Sequence, residues 1–271
     1  MRKGFLVILF SAFIFIFAIS ASGAETGKEV SNEELAKKLQ NPIANLISAP
    51  FQSNFLSGLG PKREGFQYLL RFQPVIPLNM NTNWNVIFRP ILPLISQTHA
   101  IGRTHQTGLG DLQQEVFFSP VKPGPAGLIW GVGPIGLFPT ATDELLGNEK
   151  WGLGPTSVVL KQAGGFTGGI LAYQLWSFAG NRDRTDVRWT YLQPFAAYTF
   201  KSAFTIFGSS ETLYDWKAKE WEFPLIAGAS QVFRIKKQSM SIALSGMYYP
   251  VTPSDEPKWG IRLTWTLMFP E

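Results

Sequence analysis

Hydrophobic and polar residues alternate along the last strand-like segment, Lys258 to Phe269, and this period of two predicts a β-strand with two unlike faces. One face carries Trp259, Ile261, Leu263, Trp265, Leu267 and Phe269. The other face carries Gly260, Arg262, Thr264, Thr266 and Met268. A row of large apolar side chains next to the carboxyl terminus indicates a strand that faces lipid, as in bacterial outer-membrane β-barrels.

Similar alternation recurs from Pro50 onward and predicts twelve strands. They lie near 50–59, 66–77, 84–95, 109–119, 128–139, 152–161, 166–178, 187–199, 202–211, 221–235, 239–250 and 258–269. Most reach about 9–11 residues, the length that a tilted strand needs to cross a membrane. We therefore predict an all-β fold, in which residues 50–271 form a single antiparallel transmembrane β-barrel.

The direction of the two faces is a separate question, since a soluble barrel or a sandwich also alternates, with its apolar face turned inward. Connection lengths favour the membrane barrel. Longer polar connections follow the third, fifth, seventh, ninth and eleventh strands, at 96–108, 140–151, 179–186, 212–220 and 251–257. Several others are tight, such as 162–165 and 236–238, although 60–65 is a short connection at the first end and 121–127 a rather long one at the other. Long loops at one end and short turns at the other are typical of outer-membrane barrels.

Six prolines fall inside the predicted strands, where each removes a hydrogen-bond donor from the ladder. They are Pro74, Pro90, Pro134, Pro155, Pro194 and Pro224. This feature argues against uninterrupted strands, and we expect bulges or strand ends at these positions.

The amino-terminal residues predict export. Arg2 and Lys3 precede an apolar run over 5–19 and small residues over 20–24, the layout of a signal peptide cleaved after Ala24. Removal of this peptide lowers the formal net charge from +5 to +3, and a mildly basic chain does not indicate nucleic-acid binding. The chain has no cysteine, which excludes disulfides and Cys-ligated metals.

Residues 25–49 form a leader between the signal peptide and the barrel. Ser31 and Glu34 have the spacing of a helix capping box, and Leu35, Leu39 and Ile43 recur at nearly helical spacing. We predict a short amphipathic helix. It can plug the periplasmic mouth of the barrel, lie on the membrane, or be a leader that docks only on folding.

A series of short motifs adds a family resemblance. It comprises Asn41-Pro42, Pro50-Phe51-Gln52, Gln73-Pro74, Gly108-Leu109-Gly110-Asp111, Phe118-Ser119-Pro120, Trp130-Gly131-Val132-Gly133-Pro134, Phe138-Pro139-Thr140-Ala141-Thr142, Gly152-Leu153-Gly154-Pro155, Gln174-Leu175-Trp176-Ser177-Phe178-Ala179-Gly180 and Leu192-Gln193-Pro194-Phe195. Over about residues 41–271 the chain resembles a bacterial family of outer-membrane barrels related to the "MetA pathway of phenol degradation" proteins, often labelled transporters or mislabelled neuromedin U. The resemblance implies an outer-membrane barrel linked to small hydrophobic compounds, and it brings no catalytic or ligand residues.

If the apolar faces meet lipid, the opposite faces line the lumen. The predicted pore-lining residues are Arg71, Arg89, Glu115, Lys161, Arg188 and Arg262, with Gln67, Gln73, Asn85, Gln113 and Gln193 between them. Charges of both signs can pair into a network that fills a narrow lumen, or they can line a wet pore and select solutes by charge.

Other candidate chemistry is weak. His99 and His105 share a predicted loop with no carboxylate before Asp111, which favours neither a metal site nor catalysis. We therefore predict no catalytic, cofactor-binding or metal-binding residues and no enzyme.

The leading functional prediction is a passive channel or transporter in the bacterial outer membrane for small, hydrophobic or aromatic molecules. The alternatives are a lipid-modifying enzyme and a non-conducting structural or docking barrel. The expected partners are membrane lipid, a small-molecule solute and the barrel-assembly machinery, and the oligomeric state is left open.

Overall fold

Antiparallel β-structure runs through the residues that the computed structural model describes, 30–101, 104–253 and 256–270. The predicted signal peptide, residues 1–24, lies outside them. Helix α1 spans Asn32–Leu39, and two 3₁₀ turns span Pro125–Gly127 and Glu144–Leu146. The strand segments are β1 (Ile47–Leu59), β2 (Gly65–Phe72), β3 (Ile76–Asn79), β4 (Trp84–Thr98), β5 (His105–Leu109), β6 (Leu112–Pro120), β7 (Leu128–Phe138), β8 (Lys150–Ala163), β9 (Phe166–Gly180), β10 (Arg188–Thr199), β11 (Phe204–Ser209), β12 (Thr212–Asp215), β13 (Glu220–Ile235), β14 (Gln238–Val251) and β15 (Trp259–Phe269). Within the same residues, no helix has the length and apolar character that crossing a membrane requires.

These segments form one closed barrel. Segments β2–β3, β5–β6 and β11–β12 each make one interrupted barrel strand, so the described fifteen segments give twelve barrel strands. Each barrel strand pairs antiparallel with the next in the chain, and β15 pairs with β1 from Ser57 opposite Trp259 to Ile47 opposite Phe269. This last pairing closes the sheet and leaves no open edge. The prediction of a twelve-stranded antiparallel barrel is confirmed.

The two faces of β15 point as predicted. Leu263 exposes 44% of its surface on the outside, whereas its neighbour Arg262 exposes 7%. Across the seam, Phe55 lies opposite Ile261 on the exposed face, and Asn54 lies opposite Arg262 on the buried face. Apolar side chains therefore cover the outside, and polar side chains turn toward the axis.

The two ends of the barrel differ in their connections. At one end, which we call the loop end, residues 139–149, 181–187 and 252–258 connect consecutive strands. At the opposite turn end, β8 and β9 are joined by Gly164–Gly165, and β13 and β14 by Lys236–Lys237. The start of β1 and the end of β15 also lie there. In outer-membrane barrels the short turns face the periplasm.

Apolar side chains also fill part of the interior. The larger cluster lies mainly on β4 to β9 and consists of Ile43, Ile87, Phe117, Ile135, Leu137, Val158, Leu160, Leu171, Tyr173, Leu175 and Val187. A second cluster, toward the loop end of β1, β2, β13 and β14, consists of Leu56, Leu59, Leu69, Ala100, Ile226, Met247 and Tyr249. The lumen is thus packed on one side and narrowed near the loop end.

The prolines within the strands coincide with irregularities in the ladders. Pro134 and Pro155 lie opposite each other on β7 and β8. The pairings with the two flanking strands are interrupted beside them. The β6–β7 pairing skips from Glu115 to Phe118, and the β8–β9 pairing skips from Leu153 to Thr156. Each proline therefore faces a neighbouring strand where the ladder is already interrupted, and its missing donor leaves no regular bond unmade.

The remaining prolines follow the same rule in part. Pro74 lies in the break between β2 and β3, and Pro224 lies at a register shift between β13 and β14. The carbonyl of Pro194 accepts from the Ser210 amide at 3.1 Å, where the barrel strand is interrupted between β11 and β12. The expectation of bulges or breaks is met at these sites. Pro90 lies within a continuous β4–β6 pairing, but on its other side it faces the break between β2 and β3, where residues 89–91 are unpaired.

Close strand approach at one of these interruptions gives a stability prediction. A Cβ placed on Gly154 would overlap the Gln174 carbonyl oxygen of β9, so we expect Gly154→Ala to lower the free energy of unfolding by about 1–3 kcal/mol. Urea titration of refolded protein in detergent measures this. Gly246→Ala is the matched control, because a Cβ there meets nothing within 4 Å. Equal urea midpoints for the two variants would contradict the prediction.

Candidate functional site in the barrel lumen

An ion cluster crosses the middle of the lumen. Glu211, between β11 and β12, accepts hydrogen bonds from Arg262 Nη1 and Nη2 of β15 at 2.5 and 3.0 Å. It also accepts one from Arg71 Nη1 of β2 at 2.9 Å. Four barrel strands, each about 4.8 Å apart, separate Glu211 from Arg71 along the wall, so this contact must run through the interior. Arg262 Nε donates to Asn54 Oδ1 at 2.6 Å, which fixes the guanidinium.

A second ion pair lies on the neighbouring part of the wall. Arg89 of β4 and Glu115 of β6 are direct partners in register, and Arg89 Nη1 donates to Glu115 Oε2 at 2.9 Å. Thr156 Oγ1 donates to the other carboxylate oxygen at 3.2 Å. Glu115 is almost fully buried, whereas the Nε of Arg89 is buried with no hydrogen-bond partner. Arg89 therefore keeps an unused donor inside the barrel.

Amide side chains continue the polar lining. Gln67 Nε2 donates to Gln97 Oε1 at 2.7 Å, and Gln97 Nε2 donates to Gln106 Oε1 at 3.1 Å toward the loop end. Toward the turn end, Gln73 Nε2 donates to Gln52 Oε1 at 2.8 Å. Such amide chains hold the inner side chains in fixed orientations.

The structure places nine of the predicted lining residues on the inner face. They are Arg71, Arg89, Glu115, Arg262, Gln67, Gln73, Asn85, Gln113 and Gln193. Arg71, Glu211 and Arg262 meet in one cluster, and Arg89 meets Glu115, whereas Gln113 and Asn85 lie apart from both. Their role in conduction stays a prediction.

Two predicted lining residues lie on the outer face instead, which corrects their assignment. Lys161 is exposed, next to the buried Leu160 and opposite the exposed Leu128. Aliphatic residues on both faces of β8 hide its period, which is why the sequence misplaces this lysine. Arg188 is exposed, with its guanidinium 5.1 Å from the centre of the exposed Trp216 ring.

The inner face of β10 carries aromatic residues in place of Arg188. Trp189 packs against the larger apolar cluster and donates from Nε1 to Asp215 at 3.0 Å. Tyr191 stacks on Tyr173 with ring centres 4.7 Å apart. Because aromatic side chains occupy both faces of this strand, alternation alone cannot assign them.

Sequence reasoning missed Glu211 and Asn54, two members of the central cluster. The predicted ninth strand ended at Glu211, but the pairing with β10 and β13 continues to Asp215 and brings Glu211 inside the barrel. The available signal was the excess of inward arginines, since buried guanidiniums require a counter-charge.

Residues 31–46 of the leader lie in the turn end of the barrel, and the barrel itself begins at Ile47. Ser31 Oγ accepts from the Glu34 amide at 3.2 Å and begins α1 as predicted. Leu35 and Ala36 are buried, and the Lys37 carbonyl accepts from Gln162 Nε2 of β8 at 2.9 Å. Farther along, Ile43 belongs to the larger apolar cluster of the lumen. The amphipathic segment thus packs against inward-facing residues of the barrel.

A cavity of about 260 Å³ lies between the leader and the charged middle of the lumen. Arg89 and Arg262 border it on one side, and Leu39, Asn41 and Pro42 of the leader border it on another. The leader therefore supplies a large part of the lining of this cavity.

The two histidines lie in and beside the connection between β4 and β5. Both ring nitrogens of His105 lie 2.9 Å from threonine hydroxyls, Nδ1 from Thr98 and Nε2 from Thr107. In the residues that the structure describes, no three His, Cys, Asp or Glu side chains come close enough to hold a metal ion.

A salt bridge at the loop end gives a pH prediction. Lys150 Nζ donates to Asp186 Oδ1 at 2.8 Å, and this hydrogen bond and charge lower the pKa of the Asp186 carboxyl below its usual value. Since the folded-state pKa is lowered, the contact stabilises the loop above the usual aspartate pKa and is lost as pH falls through the lowered one. We expect amide exchange at Val187 to accelerate in wild type relative to Asp186→Asn between about pH 5 and pH 2. A constant ratio of the two exchange rates would contradict this.

Comparison with solved structures finds outer-membrane barrels among the proteins of similar fold. The COG4313 outer membrane channel from Pseudomonas putida F1 is similar, with a TM-score of 0.65 and 11% identity over 83% of this chain and 95% of that chain. The NanC porin has a TM-score of 0.49 and 13% identity, over 82% of this chain and 100% of that chain. A Pseudomonas aeruginosa FadL homologue has a TM-score of 0.37 and 8% identity, over 84% of this chain and 91% of that chain. No protein-family model and no curated protein matches the chain, so the resemblance to the MetA-pathway family stays a prediction. The chain has the closed barrel fold of an outer-membrane channel, with the apolar exterior suited to the bacterial outer membrane.

Proposed function

We propose that the protein is a passive outer-membrane channel for small solutes and that this conformation is its closed state. The observation that carries the proposal is the charged cluster of Arg71, Glu211 and Arg262 in the lumen, next to a polar-lined cavity. Buried ion pairs stabilise a fold less than apolar residues of similar volume. Charged groups at a constriction are instead the means by which channels select solutes.

The closed state has two barriers in series. The central cluster obstructs the middle of the lumen, and the leader occupies the turn end. Conduction requires one or both to move. The family resemblance favours small hydrophobic solutes and the outer membrane as the location. Insertion by the barrel-assembly machinery and passage of aromatic solutes are further parts of this proposal.

The apolar cluster on β4 to β9 favours the non-conducting alternative, because it fills one side of the lumen. An enzymatic role has less support, since both ring nitrogens of His105 are engaged by threonines in an exposed position. The channel and the docking barrel predict different electrical behaviour.

Planar-bilayer recording on the refolded mature chain tests the proposal. We expect discrete conductance steps in potassium chloride and faster swelling of liposomes with small solutes than with large ones. Boiled protein is the control. A barrel that never conducts, with or without its leader, would favour the docking alternative.

A further inference from the structure

The charges around the turn-end cavity are all of one sign. Among the described residues that line it, the charged ones are Lys38, Arg89 and Arg262. Glu115 and Glu211, which pair with the two arginines, are not among the lining residues. A solute in this cavity therefore contacts cationic side chains and, among the described residues, no carboxylate.

Arg89 is the residue with donor capacity to spare. Arg262 uses Nε, Nη1 and Nη2 in hydrogen bonds to Asn54 and Glu211, whereas Arg89 lines the cavity and makes one side-chain hydrogen bond, from Nη1 to Glu115. A guanidinium has five N–H donors, so Arg89 has donors on its Nη atoms left for an anion in the cavity.

The walls of the cavity suit an organic molecule rather than a bare ion. Hydroxyl groups from β13, β14 and β15 line one wall, at Ser230, Ser241, Ser245, Thr264 and Thr266. Phe195 of β10 and Phe207 of β11 line another part. The lining is therefore mixed, with hydrogen-bonding groups on one wall and phenyl rings on another, and it can hold a molecule that has a polar end and an apolar body.

The volume of the cavity limits the size of such a molecule, and the charges at its border favour one orientation. A volume of about 260 Å³ has room for a compound the size of benzoate. The carboxyl end of α1 borders the cavity at Lys38 and Leu39, and a helix carries partial negative charge there. The helix end therefore disfavours an anionic group beside Leu39, whereas the guanidinium of Arg89 attracts one.

We propose that this cavity binds a small organic carboxylate, with the carboxylate on Arg89 and the apolar body between the hydroxyl wall and the phenylalanines. The inference deepens the proposed function, because it names the solute class of the same lumen. The site exists in the closed barrel, so binding does not depend on conduction.

Isothermal titration of the refolded full mature chain in detergent tests this with benzoate and the uncharged benzyl alcohol. We expect benzoate to bind at least about tenfold more tightly, as a charge-assisted hydrogen bond implies. In the double variant Arg89→Gln/Glu115→Gln, benzoate affinity should fall by about the same factor, while benzyl alcohol affinity changes little. The paired substitution avoids leaving Glu115 buried without a counter-charge.

Lys161→Gln is the matched control, because it also removes one positive charge but lies on the outer face. Equal affinity for the two ligands, or benzoate binding unchanged in the double variant, would overturn the inference. Displacement of benzoate by equimolar chloride would also overturn it, since the site would then recognise charge alone. Conductance without benzoate binding would refute the carboxylate site and leave the channel proposal intact. Benzoate binding without conductance would support the carboxylate site and refute the channel proposal.

Discussion

Glu211→Gln is expected to destabilise the barrel by about 3–5 kcal/mol, the loss typical of breaking a buried ion pair from one side. Glu211 is the acceptor for both Arg262 and Arg71, and the substitution leaves the Arg262 side chain, only 8% exposed, without a counter-charge. Arg71 is about one-third exposed, so water screens its share of the loss. The urea midpoint of refolded protein in detergent measures the effect.

A matched substitution separates this effect from a general loss of charge. Glu220→Gln changes the same chemical group at an exposed position on β13, and we expect its urea midpoint to stay near that of wild type. Adding Arg262→Gln to Glu211→Gln should recover part of the lost stability, because the unpaired guanidinium is removed as well. A normal urea midpoint for Glu211→Gln alone would show that the cluster contributes little to stability.

Deletion of residues 31–46 is expected to open the turn end of the lumen and raise the single-channel conductance. The leader borders the cavity there, and Gln162 holds its helix through the Lys37 carbonyl. The deletion also removes the buried side chains of Leu35, Ile43 and Leu46, each of which contributes about 1.5–3 kcal/mol when fully buried. The deleted chain should therefore conduct more and unfold at lower urea concentration.

Planar-bilayer recordings of the two chains in the same salt measure the conductance change. Gln162→Ala is the intermediate case, since it removes one contact to the leader and keeps the segment. We expect it to raise the open probability without changing the largest conductance step. Identical traces from the deleted and complete chains would mean that the central cluster alone sets the closed state.

The strand pattern and its orientation could be predicted because they depend on local periodicity. Along β15, side chains two residues apart must share a face, and lipid on one side accepts only Ile261, Leu263 and their apolar neighbours. The same rule failed where the contrast between faces is weak. On β8, Val158 and Val159 point in opposite directions, so nothing in the local pattern places Lys161.

The partners of the inner charges could not be predicted, since they come from distant parts of the chain. Glu211 meets Arg71 across 140 residues of sequence and Arg262 across 51. Register fixes neighbours on adjacent strands, such as Arg89 and Glu115, but contacts across the lumen depend on how the closed cylinder is filled. The same applies to the leader. Its amphipathic pattern predicts a helix but does not identify the surface against which the helix packs.

The amino-acid sequence by itself determined an antiparallel barrel of twelve strands with an apolar outside, because strand geometry and the solvent on each face act on neighbouring residues. Only the tertiary structure decided that Glu211 joins two arginines, that residues 31–46 pack against the inner wall, and that Arg89 lines a cavity. These features arise when the sheet closes and brings residues far apart in sequence into one confined space.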